Sequence, residues 1–182
     1  LGDVYKRQLL ANRTVAESVA CPGKGKKPKT LPYRIHDDPD PQKLENLREL
    51  TAKLGYKMKS TSTKGATARA LNKLMEEVDG HREAKLVQTI ALRSMMKAKY
   101  STHNIGHFGL AFDYYTHFTS PIRRYPDTMV HRLLTRYQDG GRSANKNHYE
   151  ELCEHCSDME QIAQNAERDS ICLLYTSDAA DE

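Results

Sequence analysis

Apolar residues recur along this chain at intervals of three and four, and the runs are broken by connections rich in Pro, Gly and Lys. That is the pattern of amphipathic helices joined by exposed loops. Leu9–Ala20 reads as the tail of a helix, stopped by the lysine-rich loop CPGKGKKPKTLP. Pro32–His36, PYRIH, reads as a short strand. Asp40 is placed to cap a helix that starts at Pro41 and carries Leu44, Leu47, Thr51 and Leu54 on one face. Past the Lys57–Lys64 loop, Leu71, Leu74, Met75 and Val78 mark a second core-facing helix, and a third covers about Glu83–Tyr100. HFGLAF reads as a strand, with Gly106 just before it and Gly109 within it allowing close backbone approach. A helix from Pro121 to about Tyr137 and a long one over Asn147–Ser170 complete the pattern.

The start of the Pro121 helix carries two arginines. Ser120 is a good N-cap and Pro121 suits the first helical position. Arg123 and Arg124 are thereby expected where the aligned peptide dipoles make the backbone positive, at a cost of about 0.3–1 kcal/mol per cation unless an anion offsets it. Helical spacing puts Arg123 at the head of an apolar stripe with Asp127, Val130 and Leu134, and puts Arg124, Thr128, Arg132 and Thr135 on a polar face. Two readings follow. Asp127, one turn on, pairs with Arg123 as a structural bridge, or the guanidinium and the free N–H groups beside it form an anion site.

The two ends of the chain are read differently. Asp3–Gln8, DVYKRQ, can be encoded by GATGTGTATAAGAGACAG, whose reverse complement, read one base later, encodes the residues of Cys172–Ser177. One DNA string in both orientations at the two ends is the mark of a library adaptor. Leu1–Gln8 and Cys172–Glu182 are therefore expected to be sequencing-adaptor scars, with Leu9–Ile171 the authentic stretch. The scars together carry a net charge of −2, so the +4 of the 182 residues becomes +6 without them.

A basic balance points towards polyanions such as nucleic acid, and lysine loops can track phosphates, although such loops also serve as plain solvated surface. The chain is 38% hydrophobic and 29% charged, lacks Trp, and has no apolar run near the ~18 residues that span a bilayer, so a protein without a membrane partner is expected. Cys21, Cys153 and Cys156, the cysteines outside the scars, suggest no disulfide framework and fit a reducing cytoplasm. Cys153–Cys156, CEHC, has a metal-type spacing with no second ligand pair, so no metal site is assigned to it. His131 reads as a hydrogen-bonded structural histidine. No Ser–His–Asp arrangement, P-loop or dinucleotide fingerprint occurs.

One stretch is more specific. Gly106–Leu134, GHFGLAFDYYTHFTSPIRRYPDTMVHRLL, closely resembles the signature of the ribonuclease II/ribonuclease R family. LLANRTVAE at Leu9–Glu17, YRIHDDPDPQKL at Tyr33–Leu44, LRSMMKAKYS at Leu92–Ser101 and CSDMEQIAQNAERDS at Cys156–Ser170 match the same family. The doubled arginine and the histidines of GHFGLA and YTHFTSP look more like ribonuclease R than ribonuclease II.

The resemblance implies the C-terminal part of an RNB-type catalytic domain over residues 9–171, a mixed α/β fold that is predominantly helical here. It implies hydrolytic, processive 3′→5′ degradation of single-stranded RNA to nucleoside 5′-monophosphates, in the cytoplasm, by an enzyme that is monomeric at full length. It also implies Mg²⁺, held by aspartates of the first half of the domain, for which no matching segment is found here. The 182-residue chain alone is accordingly expected to be inactive, and a noncatalytic RNA-binding relative is the alternative reading. Residue by residue, Arg123 matches the arginine at the scissile phosphate, and Glu167 matches a glutamate near the terminal nucleotides. Tyr115, His117, Phe118, Thr119 and Ser120 are expected to shape the pocket, and Arg124 to contact the RNA backbone or a nearby carboxylate.

Overall fold

The computed structural model describes residues 2–23, 25–58 and 64–180. It is mostly helical with two short strands: α1 Gly2–Ala20, β1 Tyr33–Ile35, α2 Pro41–Lys53, α3 Lys64–Val78, α4 Ala84–Ser94, β2 Lys99–Ser101, α5 Tyr125–Gln138 and α6 Lys146–Ala180, with a 3₁₀ turn at Phe108–Leu110. This is the mixed, predominantly helical α/β class expected from the resemblance. Of the Lys57–Lys64 loop, residues 59–63 lie outside the described residues. Two units are distinguishable. The first comprises Leu1–Tyr33, Lys99–His103 and Thr116–Glu182, and the second Arg34–Ala98 and Asn104–Tyr115.

In the second unit the expected cap is in place: the Asp40 carboxylate accepts the backbone N–H groups of Gln42 (2.9 Å) and Lys43 (3.3 Å), with Pro41 opening α2. Leu47 of α2, Leu71, Leu74 and Val78 of α3, and Val87 and Ala91 of α4 form one buried cluster, with Leu44, Met75 and Phe108 packed against it. The third helix ends at Ser94 rather than reaching Tyr100. The reason lies in its last carbonyls. Asp40 N–H donates to the Ser94 carbonyl (3.1 Å), and the His36 ring bonds the Met96 carbonyl (2.6 Å), so both are satisfied from outside the helix while Met95 turns extended.

HFGLAF is not a strand. The segment makes only isolated bridges, His36 with His107 and His107 with Phe112, around the 3₁₀ turn, and Ala111 adopts a left-handed φ of 54°. Gly106, at φ 83°, and Gly109 allow the tight reversal that a continuous strand would not. A Cβ on Gly109 would lie 2.9 Å from His36 Nδ1, so close backbone approach is the use made of that glycine.

The first unit is built on α1, α5, α6 and β2. Ala16, Val19 and Ala20 of α1 are buried, as are Met129, Val130 and Leu133 of α5. Tyr100 of β2 packs with Met129 and Cys153. Glu150 of α6 ties that helix to the strand end by accepting from Ser101 Oγ (2.7 Å) and from the N–H and hydroxyl of Thr102 (N–H at 2.6 Å). Helix α6 runs on past Ser170 to Ala180, with Ile171, Leu173, Leu174 and Tyr175 exposed. Val4 and Tyr5 of α1 are exposed as well.

Candidate functional site

The helix that follows the doubled arginine begins at Tyr125, four residues later than Ser120 and Pro121 suggest. Pro126 explains the difference. A helix opened at Pro121 would place Pro126 inside, where it has no N–H to give and its ring clashes with the preceding turn; opened at Tyr125, Pro126 falls in the first turn, where neither matters. Ser120–Arg124 is therefore a turn, closed by the Ser120 carbonyl accepting from the N–H groups of Arg123 (3.3 Å) and Arg124 (3.1 Å).

Asp127 holds this turn from beneath. Its side chain is fully buried, and Oδ2 accepts from Ser120 N–H (2.8 Å) and from Arg124 Nη2 (2.9 Å). Arg124 Nε lies 2.8 Å from Asp127 Oδ1 as an ion pair, off the axis of a directed hydrogen bond. The carboxylate offered as a bridge for Arg123 thus belongs to Arg124. A buried carboxylate needs that partner, because removing one member of a buried pair typically costs about 3–5 kcal/mol. The Thr128 hydroxyl donates to the Pro121 carbonyl (3.0 Å) and closes the other side of the turn.

Arg123 is left with no side-chain hydrogen bond or ion pair among the described residues, and it is exposed between exposed Ile122 and Tyr125. An unpaired guanidinium beside a helix N-terminus can take an oxyanion in bidentate fashion, and the α5 dipole favours negative charge at the same place.

The other expected site residues divide. His117 Nδ1 is hydrogen-bonded to the Tyr100 hydroxyl (2.8 Å), with the rings edge-on at 5.6 Å. Thr119 and Ser120 are half-buried within the turn region. The Phe118 ring stacks on His131 (4.1 Å, 10°), whose Nε2 bonds the Phe118 carbonyl (2.9 Å), so His131 is structural as expected. Glu167 is exposed on α6. Tyr115 belongs to the second unit, where it is buried edge-on against His107 (5.4 Å) and beside Phe112 (5.8 Å).

No group of three His, Cys, Asp or Glu side chains among the described residues could hold a metal ion. The donors present do not fit the divalent cation that the resemblance implies. Cys153 is buried, and burial, followed by the Glu150 charge, pushes its thiol up to about 12, the opposite of a thiolate ligand. The role of Asp127 and the true helix start escaped the periodicity. The second proline of SPIRRYP was the signal that could have found them.

Comparison with known proteins agrees with the motif reading. The family model described as RNB domain matches residues 6–140. Ribonuclease R of Aquifex aeolicus is 46% identical over 145 residues, 78% of this chain and 20% of that protein. Ribonuclease R of Thermotoga maritima is 39% identical over 174 residues, 91% of this chain and 23% of that one. The chain thus spans about a fifth of the length of the curated relatives it matches. Among solved structures, Mycoplasma genitalium RNase R in complex with ribose-methylated single-stranded RNA superposes with a TM-score of 0.78 at 30% identity, over 95% of this chain and 27% of that one. Yeast Ssd1, a pseudonuclease, shares the fold with a TM-score of 0.71 at 23% identity, over 84% of this chain and 19% of that one. With the family model covering most of its length and ribonuclease R relatives on both sides of 40% identity, the chain belongs to the RNB domain family.

Proposed function

We propose that this chain is part of a hydrolytic, processive 3′→5′ exoribonuclease of the ribonuclease R type, acting on single-stranded RNA in the cytoplasm and releasing nucleoside 5′-monophosphates. Arg123 is its phosphate-binding catalytic residue. The observation that carries this reading is the division of labour in the turn: Arg124 and Asp127 satisfy each other, and the Arg123 guanidinium is presented unpaired. Held there, it grips two non-bridging oxygens of the scissile phosphate and stabilises the charge that develops on them as water attacks. His117, Thr119 and Ser120 form the wall beside it. Tyr115, being buried, acts through packing, and Glu167 contacts the strand end from α6. Arg124 adds positive potential while its donors stay on Asp127.

Mg²⁺ is the expected cofactor of the whole enzyme, with ligands outside the described residues; nothing assigned to Arg123 here runs through it. The isolated 182-residue chain is accordingly inactive, and the full enzyme acts as a monomer. The alternative is a noncatalytic RNA-binding relative that keeps this segment without the metal-binding aspartates of the first half of the domain.

The test is a chimera in which residues 9–171 replace the matching segment of Thermotoga maritima ribonuclease R. The proposal expects progressive release of 5′-monophosphates from a labelled single-stranded RNA. A folded chimera that binds the RNA and releases none would favour the noncatalytic reading.

A further inference from the structure

The first unit holds a second basic feature, away from the turn of Arg123 in the chain and unused by the reading above. The loop after α1 and the connection after α5 enclose a groove of about 780 Å³, lined by Lys26, Lys27, Lys29, Tyr137 and Arg142 among others. That volume is in the range of ligand clefts, roughly 300–1,000 Å³. No carboxylate lines it among the described residues.

Its cations are of two kinds. Lys29 is spent on the fold: its ammonium donates to the Gly141 carbonyl (2.9 Å) and sits over the Tyr137 ring (4.6 Å), fixing the loop against the connection after α5. The Tyr137 hydroxyl donates to the Thr30 carbonyl (2.7 Å), and Thr30 bonds Ser143 (3.0 Å) and the Ala144 carbonyl (2.9 Å), so both rims are pinned to each other. Lys26, Lys27 and Arg142 are exposed and have no ion pair or side-chain hydrogen bond among the described residues. A loop that only needed solubility would not require this bracing, and cations that only served the fold would be bonded to it as Lys29 is. Three unpaired cations around a pinned, carboxylate-free groove are suited to successive phosphates of a flexible polyanion.

We propose that this groove is a secondary binding surface for the phosphodiester backbone of single-stranded RNA, read without regard to base. The choice of RNA over an acidic protein rests on the exoribonuclease reading. The groove itself supplies Tyr137 as an aromatic face, although Lys29 covers part of it.

The test measures binding of a fluorescein-labelled oligouridylate at a series of salt concentrations, by the 182-residue chain and, as a second context, by the chimera. The probe is compared with the Lys26→Gln/Lys27→Gln/Arg142→Gln variant, all three changes lying on exposed side chains. Each lost phosphate contact lowers the slope of log affinity against log salt by about 0.7 for single strands, so the triple variant should bind with a slope shallower by about 2. Its rate of mononucleotide release at saturating RNA should match that of the unsubstituted chimera. An unchanged slope in a variant that melts like the parent overturns the groove and leaves the exoribonuclease reading untouched. Displacement of the RNA by polyglutamate as readily as by unlabelled oligouridylate also overturns it, in favour of an acidic protein partner. A chimera that releases no mononucleotides yet shows the slope change fails the exoribonuclease reading and keeps the groove.

Discussion

The Ser120–Asp127 turn and the Gly106–Phe112 loop both involve polar side chains, both contain or adjoin a tight reversal, and both lie in the stretch that carries the family resemblance. They use their polar groups in opposite ways. At the loop, the fold uses the histidine that packs against it from just past β1: His36 accepts from Gly109 N–H at Nδ1 (2.9 Å), which leaves Nε2 to donate to the Met96 carbonyl (2.6 Å), while the loop's own His107 is held by burial and ring contacts. The His107 ring lies tilted 5.1 Å from that of His36, and burial, then the electrostatic influence of His36 and Arg34, push its imidazole down to about 4. In the turn, one buried pair absorbs the structural demand and leaves the neighbouring arginine unpaired and exposed. A polar side chain in a signature motif is informative about function when the fold has no use for it.

The comparison can be broken most forcefully at Asp127. Asp127→Ala strands the Arg124 guanidinium and the Ser120 N–H, and should cost about 3–5 kcal/mol, measured by urea unfolding of the chimera. A loss below about 1 kcal/mol would mean that the pair does not hold the turn. In the loop, Gly109→Ala drives a Cβ to within 2.9 Å of the His36 ring and should cost about 1–3 kcal/mol on the same measurement. An unperturbed mutant would show that the approach of Gly109 to His36 is not needed.

The smallest effect is on pH dependence. His107 is harder to protonate folded, near 4, than unfolded, near 6.5, so its contribution to stability is complete above pH 6.5 and is lost as pH falls towards 4. His107→Gln should flatten the fall in melting temperature across that window. An identical pH profile would show that His107 is not the group responsible.

Much of the fold was legible because it follows from period and caps: the Asp40–Pro41 start of α2 and the core positions Leu47, Leu71, Leu74 and Val78 stand where spacing puts them. Errors arose where tertiary bonds override local preference. Nothing near Tyr100 says that Asp40 and His36 will claim the carbonyls at the end of α4, and nothing in HFGLAF announces the left-handed Ala111. At the site, Arg123 was legible as a cation in want of a partner. The Asp127 bridge, one of its two readings, fails because it needs a helix drawn from Pro121 that puts Asp127 one turn below Arg123, whereas the turn that Pro126 forces brings Arg124 over Asp127 instead.

The central claim, that Arg123 is unpaired because it is kept for the scissile phosphate, is tested by single-turnover cleavage of a labelled single-stranded RNA by the chimera and its Arg123→Ala variant. The melting temperature is recorded on the same samples. The account predicts a cleavage rate lower by roughly 10²–10³, by analogy with removing one donor from a site that stabilises developing charge, with RNA affinity and melting temperature little changed. Arg123→Lys should rescue poorly, because an ammonium cannot reproduce the guanidinium fork. A folded Arg123→Ala chimera that cleaves at the parental rate would contradict the claim.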